Sequence, residues 1–234
     1  MSEQLNFDLL TKPALGRDDF FVSPANAITV ALIDGWRGWL GGKLLLYGSK
    51  GVGKTHLAHV WAAQSGAEII QAKGLSEANV PILARGSVAV ENVPDIAGQA
   101  EAEAALFYLH NLVLGEGHRL LLTGRGVPAT WGIALPDLAS RIAGTHQALL
   151  SEPDDALFFA VLTKLFADRQ ISPRPDVVPY LVDHVDRSFE AAAQIIAHLD
   201  QASLAEKRNV TRIFAARMLA DLEKIHWGSP LATK

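Results

Sequence analysis

The first two thirds of the chain alternate short apolar runs with segments that have helical periodicity. Five apolar runs predict buried strands, at about 43–47, 67–74, 87–93, 119–126 and 146–152. Four helix-like segments accompany them, one from about Ala25, one ending at Gly66, one closing at Gly115 and one over 135–144. Strands that alternate with helices are typical of a parallel α/β sheet.

The pattern changes at about Pro153, beyond which no further strand is predicted. Four helix-like segments follow one another, over 153–170, 175–187, 188–207 and 211–224. This part of the chain therefore predicts a small, all-helical subdomain of about 75 residues. We expect three regions: a flexible tail over 1–12, an α/β core over 13–152 and a helical subdomain over 153–234.

A phosphate-binding motif lies between the first predicted strand and the helix after it. It matches G-x-x-x-x-G-K-[ST], and its residues are Gly48, Ser49, Lys50, Gly51, Val52, Gly53, Lys54 and Thr55. Glycines let backbone N–H groups turn towards phosphates, and the helix N-terminus adds its positive end. We expect Lys54 to neutralise phosphate oxygens of ATP or ADP and Thr55 to ligate Mg2+. The alternative is a glycine turn that binds nothing.

The third predicted strand ends in Glu91 and Asn92, where phosphate-loop ATPases usually place the acid that holds magnesium. Glu91 is predicted to have a Walker-B-like role, either on Mg2+ or on a water bound to it. Asn92 cannot act as a general base, so we expect slow hydrolysis at this site. The alternative is a buried strand that ends in polar residues by chance.

Three other features carry alternatives that the residues alone leave open. Thr123 ends the fourth strand, where it could sense a γ-phosphate or simply terminate the strand. Arg141 lies on a short helix and, taken alone, predicts a surface arginine. In the tail, Leu5, Phe7 and Leu9 alternate with polar residues. This pattern suits a linear peptide that docks into a partner, or a segment that packs on its own domain.

The composition limits the classes of partner. The 234 residues are 49% hydrophobic and 20% charged, with a net charge of -4, so the bulk charge predicts no general attraction to nucleic acid. There is no cysteine, hence no disulfide and no thiolate metal site. No apolar run approaches the roughly 18 to 20 residues that span a bilayer, and the N-terminus does not look like a secretory signal. We expect a soluble, cytoplasmic protein without direct sequence-specific DNA binding.

These motifs together resemble the DnaA/Hda family of AAA+ proteins, and the likeness extends over nearly the whole chain. It rests on "FFVSPAN" at 20–26, "GSKGVGKTHLAHVWA" at 48–62 and "LLLTGRGVPATWGIALPDLASRIA" at 120–143. The resemblance implies a AAA+ P-loop core whose five-stranded parallel sheet is flanked by helices, followed by a helical lid. It also implies further nucleotide-binding residues: Phe21, Val22, Asn26 and His56.

Several residue roles follow only from this resemblance. Thr123 falls at the family's sensor 1, and Arg141 falls at the arginine finger that enters a neighbouring protomer's nucleotide site. The lid arginine called sensor 2 is replaced by Glu190, and Arg187, one turn earlier, is the candidate substitute. Without a lid cation, discrimination between ATP and ADP should weaken.

The tail also matches a family feature. Residues 4–9 fall where Hda proteins carry a hexapeptide that binds the DNA polymerase sliding clamp, and Gln4, Leu5, Phe7 and Leu9 would make the contacts. The family form has Leu and then Pro where this chain has Phe7 and Asp8.

The resemblance implies a negative regulator of replication initiation that binds ADP and stimulates ATP hydrolysis by DnaA through Arg141. A homodimer is possible. The main alternative is an autonomous AAA+ ATPase of the helicase-loader type. A small-molecule kinase and a nucleotide-gated scaffold are further alternatives.

Overall fold

A computed structural model describes residues 20–227 of the chain. Its centre is a single five-stranded sheet in which the expected strands all form. They are β1 (Lys43–Tyr47), β2 (Glu68–Gln71), β3 (Val88–Glu91), β4 (Leu120–Gly124) and β5 (Gln147–Leu149). Strand β2 is shorter than the predicted 67–74, because the backbone closes into a 3-10 turn at Ala72–Gly74 with Ala72 fully buried.

The sheet is parallel throughout, as predicted, with the strand order β2-β3-β4-β1-β5. The central strands read as continuous apolar runs because both of their faces are covered. Leu44, Leu45 and Leu46 of β1 are each at most 1% exposed. Strand β1 lies between β4 and β5, so the chain that follows it emerges at a switch point of the topology, where open α/β sheets bind ligands.

Helices cover both faces of the sheet. The core helices are α1 (Ala27–Asp34), α2 (Lys54–Ser65), α3 (Val80–Leu83), α4 (Ala100–Gly115) and α5 (Pro136–Ala143). One buried apolar cluster joins one face of the sheet to α3, α4 and α5, and a second cluster joins the opposite face to α1 and α2. This arrangement fixes the carboxyl ends of the strands at one common edge.

The remaining described residues form the helical subdomain that the sequence predicts. Its helices are α6 (Asp155–Asp168), α7 (Val177–His184), α8 (Phe189–Glu206) and α9 (Arg212–Trp227). Their apolar faces meet in a core of their own, which includes Phe158, Leu181, Ile196 and Phe214. Among the helices of residues 20–227, none is both long enough and apolar enough to cross a membrane.

Candidate functional site

The phosphate loop, Gly48–Thr55, connects β1 to α2 at the carboxyl edge of the sheet. Gly51 and Gly53 have φ values of 75° and 103°, in the region that residues with a side chain rarely adopt. These turns curl the backbone so that N–H groups and the first turn of α2 share one concave surface. Such a surface attracts anions because the helix end carries partial positive charge.

Lys54 lies inside this loop and is 8% exposed. Its Nζ donates to the carbonyl oxygens of Gly48 at 3.0 Å and Ser49 at 2.6 Å. An ammonium group has three N–H donors, so one remains for a phosphate oxygen. Burial and the nearby Arg125 lower the pKa of Lys54 to about 8, while Glu91 acts in the opposite direction.

Polar side chains from three neighbouring strands meet beside the loop. Gln71 donates from Nε2 to Glu91 Oε2 at 2.9 Å and accepts from Asn92 Nδ2 at 2.8 Å. The backbone N–H of Asn92 donates to Thr123 Oγ1 at 3.3 Å. The structure therefore brings Glu91, Asn92 and Thr123 together, and Gln71 fixes the orientation of the first two.

These residues fit a nucleotide and a magnesium ion. Glu91 is 2% exposed, yet its Oε1 has no hydrogen-bond partner among residues 20–227, which is costly for a buried carboxyl group unless a ligand completes it. Thr55, at the start of α2, is exposed and can offer its hydroxyl oxygen. Hard cations such as Mg2+ prefer oxygen ligands of these kinds and retain several waters. Glu91 and Thr55 would hold the metal, and Lys54 with the loop backbone would hold the phosphates.

The segment at 20–26 contacts the first turn of α2 through Phe20 and His56. Asn26 is buried and organises the segment by accepting from Ser23 N–H at 2.9 Å and donating to the Phe21 carbonyl at 2.9 Å. This bracing leaves Phe21 37% and Val22 51% exposed, so both side chains can contact a ligand. Asn26 therefore positions the predicted nucleotide-binding residues Phe21 and Val22 through hydrogen bonds to the backbone on either side of Val22.

The aromatic ring of Phe20, which the sequence analysis did not single out as a site residue, links this segment to the phosphate loop. It is 6% exposed and lies edge-on to His56, with ring centroids 5.1 Å apart. Phe20 and Phe189 of α8 both approach Gly53, where a Cβ would lie 3.1 Å from each ring. An aromatic residue directly before Phe21 was the available signal.

The helical subdomain contacts the loop directly through the first turn of α8. The backbone N–H of Phe189 donates to the Gly51 carbonyl at 2.8 Å. Next to it, Glu190 Oε1 forms an ion pair with Lys50 Nζ at 2.7 Å. The predicted substitute for the lid cation, Arg187, is instead engaged by Asp155 at the start of α6.

Arg141 lies at the opposite edge of the sheet. It is exposed on α5, and its carbonyl accepts from Lys43 Nζ at 3.3 Å and from Thr145 Oγ1 at 2.7 Å. Lys43 begins β1, whereas the phosphate loop follows the end of β1. Beside Lys43 lies His110, and burial together with that lysine lowers the pKa of His110 to about 4. No ion pair among residues 20–227 involves the Arg141 guanidinium.

The structure separates the predicted residues into two groups. It gathers the phosphate loop with Glu91 and Thr123, and it leaves Arg141 apart from them. The predicted partner-binding residues Gln4, Leu5, Phe7 and Leu9 lie outside the described residues.

Gln71 and Arg125 were missed by the sequence analysis. Both follow or end a strand of the parallel sheet, and the carboxyl ends of such strands meet at one edge. That rule was the signal that could have found them.

Two family models match the chain. Residues 44–114 match the model described as the ATPase family associated with various cellular activities (AAA). Residues 155–219 match the model described as the lid domain of Hda. The first match includes the phosphate loop and Glu91, and the second includes most of the helical subdomain.

The structure is also similar to solved structures of DnaA and RuvB. Domain III of the Thermotoga maritima replication initiation protein DnaA has a TM-score of 0.76 and 17% identity, covering 90% of this chain and 97% of that one. AMPPCP-bound DnaA from Aquifex aeolicus gives 0.65 and 19%, covering 83% and 66%. Thermotoga maritima RuvB gives 0.68 and 14%, covering 89% and 72%. The fold is therefore that of a AAA+ protein with a helical lid.

Proposed function

We propose that this chain, a AAA+ protein of the DnaA/Hda family, is a negative regulator of DNA replication initiation. It would act by stimulating ATP hydrolysis in a DnaA-type initiator, with Arg141 entering the initiator's nucleotide site. Its own site would bind ADP or ATP with Mg2+ and serve mainly to fix the lid against the core.

The position of Arg141 carries this proposal. Its backbone lies beside Lys43, at the start of β1, and the phosphate loop begins after the end of that strand. Five residues of strand place about 13 Å between these two levels of the molecule. This separation argues against a role at its own loop and supports action in trans, on a nucleotide bound to a partner.

An arginine delivered in this way stabilises charge that develops on a transferring phosphoryl group. Fingers supplied in trans accelerate such reactions by roughly 10³ to 10⁵. The groups near Arg141 leave its side chain available to a partner. Lys43 carries the same charge as Arg141 and does not pair with it, and the buried His110, which lies beside Lys43, is neutral. No carboxylate among the described residues pairs with the Arg141 side chain and competes for it.

The tail supplies the second part of the proposal. Gln4, Leu5, Phe7 and Leu9 would bind the sliding clamp and hold the regulator on newly replicated DNA. Tethering of this kind raises the local concentration of a weakly bound partner, to the order of millimolar for a short linker.

The test follows ADP formation from a DnaA-type initiator that is preloaded with labelled ATP. Addition of this protein with clamp-loaded DNA should accelerate ADP formation, and Arg141→Ala should abolish most of that acceleration. Arg85→Ala is the matched control, because Arg85 is also exposed and also precedes a strand at that edge. Gln4→Ala with Leu5→Ala should reduce the acceleration only when the clamp is present. Failure of the unmodified protein to accelerate hydrolysis would refute the regulatory role.

One observation favours the rival function, an autonomous ATPase. The free Oε1 of Glu91 could hold magnesium well enough for turnover. Against it, Asn92 donates its amide to Gln71 and cannot accept a proton from water. The rival predicts multiple turnovers by the isolated chain, whereas the regulator predicts hydrolysis that depends on the initiator. Steady-state ATPase assays of the isolated chain separate the two.

A further inference from the structure

The ion pair between Lys50 and Glu190 joins the phosphate loop to the lid at one defined point. Nζ and Oε1 are 2.7 Å apart, and the side chains are 59% and 38% exposed. A Cβ on Gly51 would lie 2.9 Å from the Cβ of Glu190, so the glycine permits the close approach. The pair is therefore built into the contact between loop and lid and does not depend on chance meetings of surface chains.

Glu190 is held in place by the start of α8. Ser188 caps this helix by accepting from the N–H of Ala191 at 3.0 Å. Phe189 donates its N–H to the loop, as described above. The positive end of α8 favours a carboxylate in its first turn, where Glu190 lies. A fixed negative charge thus lies against a loop that must bind an anion.

Two lysines of the loop could bind the phosphates. They differ in whether an N–H donor is free to do so. Lys54 points into the loop with one donor free. Lys50 is occupied by Glu190, so its charge is cancelled locally. Arg187, the nearest lid arginine in the sequence, is taken by Asp155. A third phosphate that contacts Lys50 would therefore have to draw it away from Glu190 and leave that carboxylate unpaired close to the phosphate.

We propose that Glu190 determines nucleotide specificity: by holding Lys50, it makes the site prefer a nucleoside diphosphate to a nucleoside triphosphate. The inference rests on the proposed nucleotide binding and adds a residue and a direction to it. It also changes the expectation from sequence, in which loss of the lid cation only weakened discrimination. In the present proposal the carboxylate of Glu190 itself discriminates between the two nucleotides, in favour of ADP over ATP.

Exposure to solvent limits how strongly the Lys50–Glu190 ion pair can change the nucleotide preference. Both side chains are more than one third exposed, and exposed ion pairs are weakened by water and by salt. We expect the ratio of the dissociation constants for ATP and ADP to fall by about three- to tenfold in Glu190→Gln. The change should come mainly from tighter ATP binding, since ADP does not compete for Lys50.

The experiment is calorimetric titration of the full chain with ADP and with ATP, each in the presence of Mg2+. Glu206→Gln is the matched control, because Glu206 is also an ion-paired carboxylate of α8 and lies about 24 Å further along the helix. This control should leave the ratio unchanged. A ratio in Glu190→Gln equal to that of the unmodified chain would overturn the inference.

A second variant tests whether Lys50 carries the effect. In a Lys50→Met background, Glu190→Gln should change the ratio by less than half as much as it does alone, because the lysine that Glu190 holds is no longer there to be released. An undiminished effect would overturn the capture of Lys50 as the cause. Binding of neither nucleotide would refute the proposed nucleotide site itself, and that result is distinct from binding of both with an unchanged ratio.

Discussion

The phosphate loop requires a positively charged Lys54 to bind phosphate, yet burial in the same loop disfavours the protonated ammonium group. Its ammonium group is nearly enclosed, and two backbone carbonyls satisfy two of its donors. Enclosure disfavours the protonated form, and the adjacent Arg125 adds repulsion, so the pKa falls to about 8. A bound phosphate would oppose both effects, because it adds negative charge directly beside the ammonium group.

This linkage predicts a pH dependence of nucleotide affinity. Binding should raise the pKa of Lys54 above its value of about 8 in the free protein, so protons are taken up when nucleotide binds above that pH. Affinity for ADP should therefore fall as the pH rises from about 7.5 to about 9.5, by at most about tenfold per pH unit. Titration calorimetry at several pH values measures the slope.

The control for this prediction is Lys54→Arg, whose guanidinium stays charged over the whole range. Its affinity for ADP is expected to be lower overall but flat with pH. A flat profile in the unmodified protein would show that Lys54 remains fully protonated in the free site.

At the scale of elements, Glu103 connects α4 to the segment that leads into α5. It is fully buried and accepts three backbone N–H groups: Gly98 at 2.7 Å, Ala134 at 3.0 Å and Leu135 at 2.6 Å. Burial raises the pKa of its carboxyl, but the three donors lower it by more, and the net pKa lies below its usual range. The carboxylate of Glu103 thus fixes the backbone directly before α5, the helix that carries Arg141.

We predict that Glu103→Gln lowers the free energy of unfolding by about 2–4 kcal/mol at neutral pH, because the amide carries no charge and its NH2 group faces N–H donors. Urea unfolding measures the loss, and Glu101→Gln, on the exposed face of the same helix, should change stability by less than about 0.5 kcal/mol. Because the folded pKa is depressed, the stabilisation disappears as the pH falls through that pKa. The two proteins should therefore converge in acid, and a constant difference down to low pH would contradict this explanation.

The elements could be predicted from sequence because burial on both faces leaves a plain signal. Runs such as 120–122 contain only leucine, and all five strands were confirmed. The phosphate loop could be predicted because its chemistry is local, within eight consecutive residues. The contacts of Glu103 and of Glu190 could not be predicted, because each depends on the tertiary position of a backbone segment that is distant in the sequence. In the sequence both glutamates have the pattern of ordinary helix residues. Helical i to i+4 spacing does not predict a contact with a loop that lies about 30 residues away for Glu103, or about 140 residues away for Glu190.

At the scale of the whole molecule, the described residues contain separate apolar cores on the two sides of the sheet and in the lid. The lid core is complete within 158–218, so it does not require the sheet for its burial. The first turn of α8 joins lid and core where the phosphates would bind, through the hydrogen bond from Phe189 to Gly51. Nucleotide is therefore expected to strengthen the contact between two units whose apolar cores are separate.

Hydrogen exchange can measure that coupling at single amides. The Phe189 N–H exchanges only when the lid separates from the loop, so ADP that bridges them should slow its exchange. At 100 times the dissociation constant the linkage amounts to about 2.7 kcal/mol, or roughly a hundredfold slower opening. Amides within α9 report on the lid core alone and should be unchanged. Lys54→Met, which removes the phosphate contact, should abolish the slowing at Phe189. Equal slowing at Phe189 and throughout α9 would instead mean that lid and core open as a single unit, and separate opening at the contact between Phe189 and Gly51 would then be refuted.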